Sequence, residues 1–191
     1  MKFDYQEWVY LSYVDEIRRQ QKIYEKQNRA YRLFIEQEIA EQQSKFDNQI
    51  KDANDYEEAS LIDDYQEEES LIMVGYYNEL SSMFQKMYSI FENQVALESR
   101  FDLSMYPKIN EVKDVVNVLK HNNGRSYNTL KAANSKFLEP SKEFSKIRFG
   151  CSSIILNIEY RDLEEFCDEV AKAWCDRLKK YKESKDLTTE I

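Results

Sequence analysis

Chemistry in this chain has few places to reside. His121 is the only histidine among 191 residues, so any imidazole-mediated proton transfer must use it. Around it run Lys120-His121-Asn122-Asn123-Gly124-Arg125-Ser126, with Asn117 and Lys113 one and two turns earlier. The valines and leucine at Val112, Val115, Val116 and Leu119 mark one side of a helix over 107–122. At about 100° per residue, Asn117 and His121 fall nearly opposite that stripe, one turn apart, beside Asp114. An imidazole there titrates near neutrality and can move a proton either way. Its plainer role is as a cation at a helix C-terminus, worth about 0.3–1 kcal/mol with the helix dipole.

The segment after His121 has the composition of a corner. Asn and Gly tolerate left-handed backbone and stop the helix. Ser126 is expected to cap a short helix holding Tyr127, Leu130 and Ala133. Arg125 and the N–H groups after Ser126, joined by Lys113, Lys120 and His121, make a site suited to phosphate oxygens. Other catalytic classes leave no trace. There is no phosphate-binding glycine loop, no dinucleotide fingerprint, no metalloprotease helix and no Cys–His cluster, so neither a cofactor nor a metal is expected. The run Glu67-Glu68-Glu69 is expected to be a solvated face.

The elements that must position this corner are helices. Three Gly and two Pro interrupt the chain, while Glu, Gln, Lys and Leu abound, so an all-α bundle is predicted. Between Asp4 and about Gln43, Tyr10, Ile17, Tyr24 and Tyr31 recur every seven residues. Val14 and Ile35 fill two intervening positions, but Gln21 and Asn28 hold the others. This thin stripe predicts a long helix whose seam is completed by another helix or another subunit. A polar stretch over 44–60, with Asp52, Asp55, Glu57 and Glu58, predicts a break. A second long helix follows over about 60–100, with Leu80, Met83, Phe84, Met87, Ile90, Phe91 and Val95 at helical spacing.

Pro107 suits the first turn of the site helix. Near the end, Ile154-Ile155-Leu156 predicts one short β segment within 151–158. A last helix over about 161–183 buries Leu163, Phe166, Cys167, Val170, Trp174 and Leu178, and lysines gather at its C-terminal end. The expected organisation is a single domain over 1–183 with a loose tail over 184–191.

Charge and cysteine usage narrow the setting. Residues 1–100 carry 11 basic and 21 acidic side chains, whereas 101–191 carry 16 and 15. Within 108–148 there are nine basic and four acidic residues, a cationic stretch able to meet a phosphate-bearing partner. Cys151, Cys167 and Cys175 form no metal or disulfide pattern and are expected to be structural thiols in a reducing compartment. The N-terminus has acidic residues within its apolar stretch and no small-residue cleavage site, and no stretch of 18 apolar residues occurs. The cytoplasm is the expected location, with no membrane span.

The segment Val116-Asn117-Val118-Leu119-Lys120-His121 resembles the signature helix of the HEPN superfamily, helical domains found as RNase toxins and defence effectors. In that family an Arg, usually followed by a polar residue such as Asn, precedes a His by four to six positions. Asn117 and His121 match the Asn and His, while Val116 stands where the family has its Arg. The longer string from Asn117 through Lys120, His121, Gly124, Arg125 and Ser126 is similar to a motif of HEPN-like bacterial proteins lacking that Arg. The resemblance implies a homodimer with the signature helices at its interface, and metal-independent RNA cleavage. For His121 and Asn117 to cleave RNA, Arg125 or Lys120 would have to replace the missing Arg. The other reading of the same chain is a non-catalytic interaction protein, an immunity partner or scaffold subunit paired with a neighbouring gene product. The acidic, Tyr-rich first half motivates it.

Overall fold

In a computed structural model the chain is an all-α bundle. The structure describes residues 4–98, 101–121, 124–140, 144, 147 and 156–189. Helix α1 spans Tyr5–Gln49, α2 Asp55–Ala96, α3 Pro107–His121, α4 Arg125–Ala132 and α5 Tyr160–Thr189, with single 3-10 turns at Ile50–Asp52, Leu103–Met105 and Lys136–Leu138. No strand occurs among the described residues. Leu156 to Glu159 lack regular structure, and the rest of the expected β segment, 151–155, lies outside the described residues.

Local chemistry fixes the helix ends. Asp4 caps α1, its Oδ1 accepting from the N–H groups of Gln6 and Glu7 at 3.1 and 3.2 Å. The expected break over 44–60 is narrower than the composition suggested. Nothing interrupts α1 before Gln49, and α2 starts at Asp55 because Asn54 and Glu57 cap each other's backbone reciprocally. Phe46 of α1 then packs on Tyr65 of α2, ring centroids 5.0 Å apart.

The seven-residue stripe of α1 is the seam of the bundle. Tyr10, Ile17, Tyr24 and Ile35 are buried, as is the polar Asn28. The seam is completed within the chain, by α2 and α5, both packed along α1. Tyrosines stitch these helices with both ends of their side chains: rings fill the core while hydroxyls find partners. Tyr76 donates to Asn28 Oδ1 at 3.0 Å, Tyr10 donates to Glu98 Oε2 at 2.8 Å, and Tyr77 accepts from the Leu156 N–H at 2.9 Å.

Helix α5 runs antiparallel to α1. Arg18 pairs with Asp168, Lys182 with Glu7 at 2.7 Å, and Lys185 with Asp4. Its buried stripe is the expected one, with Leu163, Phe166, Cys167, Val170 and Trp174 inside and Leu178 half-buried. The C-terminal lysines differ in role from the expectation: Lys182 and Lys185 face carboxylates on α1, and α5 continues past them to Thr189. The segment expected as a tail is therefore helical through residue 189.

Helix α1 outlasts its cover. At 1.5 Å per residue its 45 residues span about 68 Å against about 45 Å for the 30 of α5. Beyond Ile35 on α1 and before Ser70 on α2 the two helices continue as a bare pair, and no residue from 36 to 69 is buried. Of the expected solvated run, Glu67 and Glu68 are exposed and Glu69 is half-buried.

Candidate functional site

Helix α3 is held by its apolar face. Ile109, Val112, Val115, Val116 and Val118 are buried against α2, α5 and α4. Leu119, expected in that stripe, is half-buried, and Val118 takes its place. Pro107 occupies the first helical position, where no intrahelical partner for an N–H exists. Asp114 lies near Tyr88 of α2. Burial pushes the Tyr88 phenol up, and the charges of Glu92 and Asp114 push it further.

The opposite face of α3 carries the polar candidates. Asn117 is half-buried, while Lys120 and His121 are exposed in the last turn. Lys113 is half-buried on the same helix. His121 therefore stands outside the packed interior. Val116 is wholly buried, so the position that corresponds to the resembled family's Arg faces the core.

The turn after His121 departs from the expected capping. Gly124, not Ser126, is the residue ahead of α4, with φ 96° and ψ −148°, and among the described residues no side chain caps the helix. A backbone in that region is open to glycine and strained for other residues. Among the described residues beyond its chain neighbours, no heavy atom lies within 4 Å of where a Cβ would sit, so the requirement for Gly there is conformational. Because Gly124 makes the turn, α4 starts at Arg125 and Ser126 lies inside its first turn. The Ser126 hydroxyl instead accepts from the Asn117 amide at 3.4 Å. Asn122 and Asn123, the other expected helix stops, lie outside the described residues.

The result is a corner in which Asn117 and Ser126 join two helices. Lys120 and His121 end one helix and Arg125 starts the next, all three exposed to solvent. Among the described residues no side chain caps the first N–H groups of α4 beside Arg125. Charge and N–H donors at such a corner are the chemistry that an anion would meet. Leu130 anchors α4 from below, and Ser135 just beyond it donates to Glu111 Oε1 at 2.6 Å, which ties the α4 exit back to α3.

Surface grooves lie elsewhere among the described residues. One of about 540 Å³ is lined by Lys108, Glu169, Lys172 and Asp176 among others. The second, about 610 Å³, is lined by Tyr10, Glu98, Arg177 and Tyr181. In it Glu98 accepts from Tyr10 and pairs with Arg177 at 2.7 Å. Composition gave no signal for either groove, because their residues come from distant helices.

Among the described residues no group of three or more His, Cys, Asp or Glu converges as a metal site. Cys167 is buried, and burial pushes its thiol up to about 12, with the Asp168 charge adding to the effect. Cys175 differs from the expected buried thiol: it faces solvent, on the side of α5 away from Trp174. Cys151 lies outside the described residues. No helix among the described residues is long and apolar enough to cross a membrane. Comparison of the chain with family models, with curated proteins and with solved structures gives no match.

Proposed function

We propose that the α3–α4 corner binds RNA, in a HEPN-like protein of a bacterial defence or toxin system. The observation that carries this reading is the joint exposure of Lys120, His121 and Arg125 around the Asn117–Ser126 contact. Lys120 and Arg125 supply cationic contacts to phosphate, Arg125 with a planar fork suited to two oxygens. Asn117 holds the corner together and leaves its carbonyl oxygen for a ribose or base donor. The family's Arg position is occupied by the buried Val116, so cationic charge at a reacting phosphate would come from Arg125 or Lys120. In a cleaving enzyme His121 would move the proton of a ribose 2′-hydroxyl.

Binding is tested by fluorescence anisotropy with labelled single-stranded RNA against salt concentration. Phosphate contacts make affinity fall with salt, and a Lys120→Ala/Arg125→Ala variant lowers both affinity and salt slope. Equal binding by that variant removes the reading. Cleavage is tested separately on gels, wild type against His121→Ala; equal cleavage by both assigns it to a contaminant.

One observation favours the second reading, a non-catalytic partner or scaffold subunit. The bare α1–α2 pair is acidic and offers long, solvated helices to another protein. Co-purification from the source cell with a neighbouring gene product, without RNA, is the outcome that selects it.

A further inference from the structure

The buried stripe of α1 contains one polar side chain, and only half of it is engaged. Asn28 is 8 % exposed, and its Oδ1 accepts from the Tyr76 hydroxyl at 3.0 Å. That hydroxyl accepts in turn from Nε of Arg32 at 3.1 Å, a guanidinium N–H that can only donate. The phenol proton is therefore the one given to Asn28, which turns the amide nitrogen away from Tyr76. Nδ2 of Asn28, with its two N–H groups, has no hydrogen-bond partner among the described residues. Nor is it sealed: the sealed polar atoms without partners there are Ser81 Oγ and Arg177 Nε. Asn28 is instead part of the wall of a groove of about 400 Å³. A donor sunk nine-tenths into a bundle, yet open to a groove, requires an acceptor from outside.

The groove lies on α1 where α5 begins. Tyr160, the first residue of α5, fixes the register by donating to the Gln21 carbonyl at 3.4 Å. One turn later Glu164 comes beside Glu25 of α1, and both line the groove. No Lys or Arg pairs with Glu164 among the described residues, because Arg161 goes to Glu165 at 3.3 Å and Arg18 goes to Asp168. Burial pushes the Glu164 carboxyl up and the charges of Glu25 and Asp168 add to it, with Arg161 pulling the other way. Burial and the Glu164 charge also push the Tyr160 phenol up, so its ring is a neutral wall.

One turn along α1 the sign changes. Arg29 and Arg32 border the groove beside Asn28, and the exposed Leu33 gives it an apolar edge. Arg29 already pairs with Glu25 at 3.0 Å, and Glu36 closes the far end. A simple cation would answer Glu164 and leave the Asn28 amide unpaired. A simple anion would meet Glu25, Glu36 and Glu164. A zwitterion satisfies both ends. Side chains three or four apart on a helix stand about 5–6 Å apart at Cβ. An ammonium and a carboxylate on one carbon bridge that separation, given a hydrogen bond of about 2.9 Å at each end.

We propose that this groove binds a free α-amino acid, its carboxylate on the Asn28 amide N–H beside Arg29 and its ammonium on Glu164. The groove shares no residue with the α3–α4 corner, so the site stands whatever that corner binds.

The test is isothermal titration calorimetry on the full chain with each of the common L-α-amino acids in turn. At least one binds saturably, one per chain. Two relatives of that compound then serve as probes, one lacking the amino group and one lacking the carboxyl group. Each binds at least about tenfold more weakly, the worth of one lost charge-assisted hydrogen bond. Glu164→Gln weakens the amino acid by a similar factor, and it folds because the change relieves repulsion with Glu25 and Asp168. Asn28→Asp keeps the side chain's size and its acceptor for Tyr76 but puts an oxygen where the N–H donor was, and it binds at least about tenfold more weakly. Circular dichroism establishes that it is folded, and Glu164→Gln and the two relatives decide without it if it is not. Any of three results overturns the proposal: no amino acid binds, a one-charge relative binds as tightly as the zwitterion, or a folded variant binds as tightly as wild type.

Discussion

The indole N–H of Trp174 on α5 donates to Oε1 of Gln94 on α2 at 2.8 Å, in the middle of the bundle. The Gln94 amide turns its other end to Glu16 Oε2 on α1 at 3.0 Å, so one buried side chain joins three helices. Both Gln94 and Trp174 are buried, and each polar atom involved has a partner.

Replacing Gln94 by Ala leaves the Trp174 N–H buried without an acceptor and opens a small void. The expected loss is about 2–3 kcal/mol, the penalty of an unsatisfied buried donor with a cavity term added. Urea unfolding followed by far-ultraviolet circular dichroism checks it, through a lower midpoint at unchanged slope. A midpoint equal to wild type would mean that the three-helix joint contributes nothing.

Gly124→Ala places a Cβ on a backbone at φ 96°. The expected cost is about 1–3 kcal/mol, and it arises from conformation, since the site is sterically open. Thermal unfolding measures the loss. An Ala protein as stable as wild type would mean that the turn is made another way.

The Asp4 carboxyl is held down to about 2, first by the hydrogen bond from Lys185 and then by the backbone N–H of Glu7. A folded value below the ordinary carboxylate value of 3.8 adds stability that is present above about pH 4 and is lost as pH falls toward 2. Asp4→Asn removes this component, so its stability profile is flatter than that of wild type across the window. Parallel profiles would refute the assignment.

Cys175 and Cys167 lie two turns apart on α5 and meet opposite surroundings. In native protein at mildly alkaline pH, iodoacetamide labels Cys175, while Cys167 stays unmodified until the chain is unfolded, because it is buried and its thiol is pushed up to about 12. Peptide mass mapping distinguishes the two. Equal labelling rates would show that α5 opens readily.

Much of the bundle was legible because helix seams obey one period. The spacing of Tyr10, Ile17 and Tyr24 predicted the buried edge of α1, and the apolar positions of α5 predicted its own. Asn28 reads as a flaw in that stripe, yet it is buried, because Tyr76 supplies a donor from 48 residues away. Long-range partners of that kind leave no mark on local spacing. Helix boundaries failed where two residue types competed. The reciprocal Asn54–Glu57 cap lay inside a stretch whose acidity suggested a wider break.

At the candidate corner, side-chain chemistry favoured Ser126 as the cap, and Gly124 took the turn because only its backbone reaches that geometry at low cost. The exposure of His121 followed from the placement of the valines. The buried edge runs from Ile109 to Val118, so the face carrying His121 is left outward. The two grooves were invisible for the opposite reason, since one joins residues 105–108 to 169–183 and the other joins Gln6 and Tyr10 to Glu98 and Tyr181.

The bare length of α1 and α2 also bears on chain integrity. All the buried residues of these two helices lie at or before Ile35 and at or after Ser70, so the tip at residues 50–54 contributes none. A protease that severs the backbone after Lys51 leaves two pieces whose shared seam is untouched. The fragments stay together as a noncovalent pair, and the tip is a place where this protein tolerates a nick, an inserted segment or new chain ends.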